Sequence, residues 1–177
     1  MSKLPAKYAW LAKEPAPRHL LEALKLYGTL EQPGTANNPE ILKWAAEVGL
    51  SKTYSGDEIP WCGLFMAVVM KRAGREPVDK PLWARNWWNF GVKAPKAALG
   101  DVLVFVRNGG GHVGLYVGED RTAYHVLGGN QSDSVNIMRI AKNRCIDIRR
   151  PAYRSQPTNV RTIMVAEAGS QLSTNEA

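Results

Sequence analysis

Cysteine and histidine are scarce in this chain of 177 residues, which has two cysteines, Cys62 and Cys145, and three histidines, His19, His112 and His125. Two cysteines are too few for a disulfide framework and lack the close pairing of a zinc knuckle, so reactivity is one reason for at least one of them to be present. Long apolar runs are missing as well. The longest, Trp61 to Met70, stops at Lys71 and Arg72, well short of the ~20 residues that span a bilayer. The first residues carry Lys3, Lys7 and Lys13 without the apolar segment and small-residue cleavage site of an export leader, so the expectation is a protein made and first held in the cytoplasm. No repeat period or low-complexity segment occurs, and the ordinary balance of 45% hydrophobic and 22% charged residues excludes a fibrous or wholly disordered chain. At ~150 residues per domain the length predicts one domain with its own core.

What is present begins with charge. A net charge of +7 favours a polyanionic partner, whether nucleic acid, an anionic membrane surface or an acidic cell-wall polymer. Apart from Arg149, Arg150 and Arg154 the basic residues are scattered, and no recognition helix, zinc finger or RNA-binding signature accompanies them, so no nucleic-acid partner and no stable membrane insertion are expected.

The apolar pattern Leu20, Leu21, Leu24, Tyr27 has helical spacing and ends at Gly28. A second helix starts at Asn38-Pro39, a good cap followed by proline at the first helical position, and runs through Val48 to Gly49. After a loop with Gly56, Asp57 and Pro60, a third helix is expected from about Trp61 to Ala73, closed by Gly74, with Cys62 in its first turn. A Trp-rich stretch follows, with Trp83, Trp87 and Trp88. Trp87 and Trp88 read as core and rim rather than a sugar platform. The second half is different: Val102–Phe105, Val113–Val117, Thr122–Leu127, Val135–Ile140 and Cys145–Ile148 are short β-rich runs between Gly, Asn and Asp turns. Helices first and a meandering antiparallel sheet afterwards predict an α+β fold. The domain is expected over 1–154, and the polar stretch 155–177 is expected to be a mobile tail with a short helix near Ile163–Ala168.

Cysteine attacks as thiolate, and a helix N-terminus beside an imidazole lowers its pKa from a free value of ~8.5. Cys62 meets the first condition. His112 follows Asn108-Gly-Gly-Gly and opens a strand, a placement suited to a general base; His125, inside the next strand, is a candidate for the pocket or the outer face, and His19 reads as a surface residue. The imidazole needs an orienting acceptor, and Leu127-Gly-Gly-Asn130-Gln131 supplies two amides, of which Asn130 lies beyond the strand end that pairs with the start of the His112 strand. Cys145 reads as packing, Asp101 as a strand-entry turn residue, and Asp57 as a cap for the Cys62 helix. Trp61 is a candidate for the groove or the core.

The ordered series Asp57-Glu-Ile-Pro-Trp-Cys62-Gly-Leu-Phe, Leu99-Gly-Asp-Val-Leu-Val-Phe105, Gly111-His-Val-Gly-Leu-Tyr-Val-Gly118 and Leu127-Gly-Gly-Asn-Gln131 resembles the CHAP amidohydrolase/peptidase family. It is similar in particular to the phage and bacterial branch with a Pro-Trp-Cys motif, over roughly residues 20–151. The resemblance implies a papain-like fold and cleavage of an amide bond in the peptide part of bacterial peptidoglycan. In it Cys62 is the nucleophile, His112 the base and Asn130 the third residue; Cys62 N–H is one oxyanion donor, Gln131 a candidate for the other, and Trp61 a candidate substrate contact. Some relatives bind calcium before the cysteine, but Asp57 and Glu58 alone are too few for the usual six to eight oxygens, so no metal or cofactor is expected. The implied protein is a monomeric endolysin, made in the host cytoplasm and acting in the periplasm or cell wall, with a holin as partner for access. Open beside it stand an interbacterial amidase toxin delivered by a secretion machine and a non-catalytic wall-binding or virion module.

Overall fold

The computed structural model describes residues 4–166. The apolar run after Trp61 becomes α3 (Cys62–Arg72), in which every residue from Cys62 to Met70 is buried. A helix apolar on all sides is stable only when neighbours cover each face. Here α1 (Arg18–Lys25) and α2 (Pro39–Glu47) pack against it along with strands of the sheet. The start of α2 is fixed by Asn38, whose side chain accepts the Glu40 amide at 2.8 Å. Gly74, at φ +74°, provides the left-handed turn that ends α3.

The sheet comprises β1 (Val92–Lys93), β2 (Val102–Arg107), β3 (Gly110–Glu119), β4 (Ala123–Gly128), β5 (Asn136–Ala141) and β6 (Cys145–Arg150). Its order is β1-β6-β2-β3-β4-β5 with every neighbouring pair antiparallel, an open six-stranded sheet in an α+β fold. Successive side chains point to opposite faces. Val102, Val104, Val113, Leu115 and Leu127 therefore join the α3 core, while Leu103, Phe105, Tyr116, Val126 and Ile140 form a second cluster. Burying each such aliphatic stabilises by roughly 1.5–3 kcal/mol. Between the helices and the sheet, the Trp-rich stretch makes a 3-10 helix (Ala84–Asn89) that buries Trp87 and leaves Trp88 half exposed.

Two expectations are corrected. His19 is buried in the α1 packing, with Nε2 2.7 Å from the carbonyl oxygen of Gly100; its position at the first turn of an amphipathic helix concealed that its face is the inner one. The segment expected to be mobile from Ser155 onward docks instead, up to the last described residue. The Leu99 amide donates to Arg161 O at 2.9 Å, the Glu119 amide to Ile163 O at 2.8 Å, and the Val165 amide to Glu119 O at 2.8 Å. Buried Val160 and partly buried Ile163 anchor a stretch whose average polarity hid them. No helix forms over 163–166, and the rest of the expected one lies outside the described residues.

Candidate active site

Three of the four motifs meet where α3 begins, and the Leu99–Phe105 run flanks the strand that bears His112. Cys62 is its first residue and lines an open cleft of about 570 Å³, a size in the range of ligand sites. The cleft's other walls come from Leu82–Arg85 and from the β2–β3 turn, including Arg107 and Gly109–Gly111. Glycine at 63 is what admits the first wall so close, since a Cβ there would collide with the Pro81 carbonyl oxygen.

Burial pushes the Cys62 thiol up from its ordinary pKa, and the amides of Val113, Gly63 and Cys62 itself, with the Arg107 charge, oppose that only in part. The expectation of a lowered pKa at a helix N-terminus is thereby corrected: desolvation outweighs the amides and the charge. The same contacts place the thiol against the backbone of Val113, the residue immediately after His112.

His112, fully buried, lies opposite Phe105 in the β2–β3 ladder. Its Nε2 is 2.9 Å from Gln131 Oε1. The Gln131 amide nitrogen donates to Val126 O at 3.1 Å, Asn136 O at 2.9 Å and Asn136 Oδ1 at 3.0 Å. With the nitrogen committed to three acceptors, the oxygen must face the histidine, so His112 carries its proton on Nε2 and Nδ1 is the basic nitrogen. Glycine at 128 is required for this pair, because a Cβ there would lie 2.6 Å from Gln131 Oε1 and 3.3 Å from His112 Nε2.

Asn130 takes a different position from the one expected. Its Oδ1 accepts the Trp61 amide at 3.1 Å and its Nδ2 donates to Glu31 Oε2 at 3.3 Å. It therefore ties the β4–β5 turn to the residue before Cys62, while Gln131, one residue on, takes the imidazole. Gln131 is correspondingly engaged away from the oxyanion role considered for it. The turn flips the two side chains apart through a left-handed Asn130 at φ +55°, a backbone detail that residue types alone do not reveal.

Trp61 is core, fully buried, with its ring tilted against that of Trp44 at 5.9 Å between centroids and its Nε1 donating to Glu31 Oε2 at 2.9 Å. Asp57 caps no part of α3; its Oδ2 accepts the amides of Gln32 at 2.9 Å and Asn38 at 2.7 Å, fastening the preceding loop to the start of α2. Asp101 accepts the Ala98 amide at a turn, as expected, and also pairs with Arg150 at 2.8 Å. His125 lies in a separate buried network, with Nδ1 2.6 Å from Tyr8 Oη and Nε2 2.8 Å from Asp120 Oδ2, which Arg139 also engages. Cys145 is a β6 residue with its thiol pushed up to about 12 by burial. The sequence reading missed Trp83, Arg85 and Arg107 as cleft residues; the one signal for them was nearness in sequence to the Trp cluster and to the glycine turn.

Among the described residues no three His, Cys, Asp or Glu side chains stand close enough together to hold a metal ion, and no helix is long and apolar enough to cross a membrane. No protein-family model matches this chain, and no curated protein matches it.

Proposed function

We propose that the chain is a cysteine-dependent hydrolase of an amide bond in the peptide part of bacterial peptidoglycan, with the papain-like chemistry of the CHAP family that its motifs resemble. The observation that supports this reading best is the coupling of three elements: a thiol at a helix start on an open cleft, a neighbouring strand bearing a buried imidazole, and a fixed amide holding that imidazole's proton on Nε2. Gln131, locked behind the ring by three acceptors, fixes the tautomer that this chemistry needs.

In this scheme His112 Nδ1 takes the Cys62 proton as sulfur attacks the substrate carbonyl carbon. Because burial favours the neutral thiol, proton removal accompanies attack rather than preceding it. The carbonyl π electrons move to oxygen, which the Cys62 N–H stabilises at the first turn of α3, where no side chain caps the helix. Collapse of the tetrahedral species breaks the C–N bond, and His112 returns its proton to the leaving amine. Water, deprotonated by His112, then cleaves the thioester, restoring the thiol and releasing a carboxylic acid. Gln131 acts throughout as a positioning residue.

Purified sacculi incubated with wild-type and Cys62→Ala protein test the reading by mass spectrometry of soluble products. Fragments with new amine termini from the wild type alone are expected, and their masses name the bond. Binding to sacculi without fragments from either protein would overturn the hydrolase and leave a wall-binding module.

A further inference from the structure

The start of α3 and the turn between β4 and β5 each carry half of the proposed site. Cys62 opens the helix, and Gln131 in the turn holds the His112 imidazole. One side chain reaches both. Glu31 Oε2 accepts the Trp61 indole N–H at 2.9 Å, one residue before Cys62, and the Asn130 side-chain N–H at 3.3 Å, one residue before Gln131. Asn130 Oδ1 in turn accepts the Trp61 amide at 3.1 Å, closing a ring of hydrogen bonds through the three residues.

The backbone fixes where that carboxylate stands. The Gly28 amide donates to Val135 O at 2.9 Å, the Val135 amide to Thr29 O at 2.8 Å and the Glu31 amide to Asp133 O at 2.7 Å, so residues 28–31 run antiparallel along the same turn, with Leu30 bridging Ser134. Asn38 Nδ2, at the start of α2, donates to Leu30 O at 2.7 Å. Glu31 is thus bound to the turn by its main chain and to the helix start by its side chain. Trp61 is fully buried, so its indole N–H needs a protein acceptor, and Glu31 is that acceptor. A neutral oxygen would satisfy the indole. A carboxylate is held there although burial and the nearby charges of Asp133, Asp57 and Glu58 push its pKa up, opposed by the Trp61 bond. An ionised acceptor makes a shorter and stronger bond than a neutral one, here to the residue before the nucleophile.

We propose that Glu31 is a positioning residue for the reaction: by clamping Trp61 to the β4–β5 turn, it sets the separation of the Cys62 sulfur from the His112 ring. This rests on the hydrolase reading above and adds to it a residue outside all four motifs. Geometry of this kind enters a rate steeply, since a misplacement of ~1 Å costs on the order of 10²-fold. Losing one end of the clamp while the backbone bonds of the turn persist is a smaller displacement. Asn130→Ala leaves the clamp in place, because the Glu31 main chain still holds the turn and its side chain still holds the indole.

The test measures kcat and KM on a soluble N-acetylmuramoyl peptide and, separately, the rate of Cys62 alkylation by iodoacetamide, which needs no substrate. Both are read below the melting temperature of each variant. Glu31→Ala is expected to lower kcat by roughly 10-fold with KM changed by less than about twofold, since the clamp touches no substrate. Glu31→Gln keeps an acceptor oxygen at the same reach and is expected to recover most of that loss. Alkylation is expected to slow in Glu31→Ala and in His112→Ala but no further in the double variant, because both act through one pairing. Undiminished kcat in folded Glu31→Ala, a rise in KM alone, a loss that Glu31→Gln shares in full, or alkylation losses that simply add overturns the positioning role while the hydrolase stands. Non-additive alkylation, without cleavage of the peptide by wild type, supports the clamp and removes the hydrolase. Alkylation indifferent to both substitutions, again without cleavage, removes both.

Discussion

In the proposed chemistry the His112 imidazole works as a base only while its proton stays on Nε2, and Gln131 Oε1, 2.9 Å away, keeps it there. Gln131→Ala is expected to lower kcat on a soluble muramoyl peptide by roughly 10²-fold, the low end of what a positioned acid–base group supplies. Asn130→Ala is expected to act on stability instead, by about 1–3 kcal/mol, because it strips the buried Trp61 amide of its acceptor. Steady-state kinetics and denaturant melts on the two variants separate these roles; a larger kcat loss in Asn130→Ala than in Gln131→Ala would reverse the assignment. The neighbouring amides were both legible in the sequence, but the choice between them depends on one left-handed residue and three acceptors on other elements. His19 carries a pH effect of its own. Burial lowers its pKa from 6.5 to about 4, opposed by its bond to Gly100, and its Nδ1 is buried without a partner, so a second ring proton would have no acceptor. The fold holds the ring neutral, whereas the unfolded chain takes up a proton below pH 6.5. Stability from this group is fully present above that pH and is lost as pH falls toward about 4. Between about pH 7.5 and 4.5 the loss is on the order of 2–3 kcal/mol. Urea melts at both pH values check it, and His19→Gln should flatten the difference.

Among the elements, α3 shows why some structure could be read directly and some could not. Its apolar composition, the Asn38-Pro39 start of α2 and the closing Gly74 are local signals, and they mark the helices correctly. Strands β2 to β6 were legible for the same reason, as short apolar runs between turn residues, whereas the two-residue, exposed β1 carries no such run and was not. What was not legible is close approach between elements distant in sequence. Gly63 reads as an ordinary helix residue, yet it is the contact point of the Pro81–Leu82 wall. Gly63→Ala is expected to destabilise by about 1–3 kcal/mol through overpacking and to displace that wall from Cys62. A thermal melt, with the rate of Cys62 alkylation as a measure of access, checks both; unchanged values would mean the approach is not tight.

For the whole molecule, the docked stretch 157–166 packs against both apolar clusters, Ile163 against each and Val165 against the one that holds α3. Ending the chain at Arg154 removes three backbone hydrogen bonds, from Leu99 to Arg161, Glu119 to Ile163 and Val165 to Glu119, and uncovers the second apolar cluster. At about 1 kcal/mol each the bonds alone represent roughly 3 kcal/mol, or about 6–12 °C in Tm. Comparing that truncation with a chain ending at Ala166 by calorimetry tests it, and equal melting temperatures would show the docking to be energetically idle. The central claim concerns a covalent bond at one sulfur. Its most direct measurement is the mass of wild-type protein quenched in acid during turnover of a soluble muramoyl peptide, with the modified residue located by peptide mapping. An acyl adduct on Cys62, absent from Cys62→Ala, is the predicted result; product release at an undiminished rate from Cys62→Ala would contradict the account.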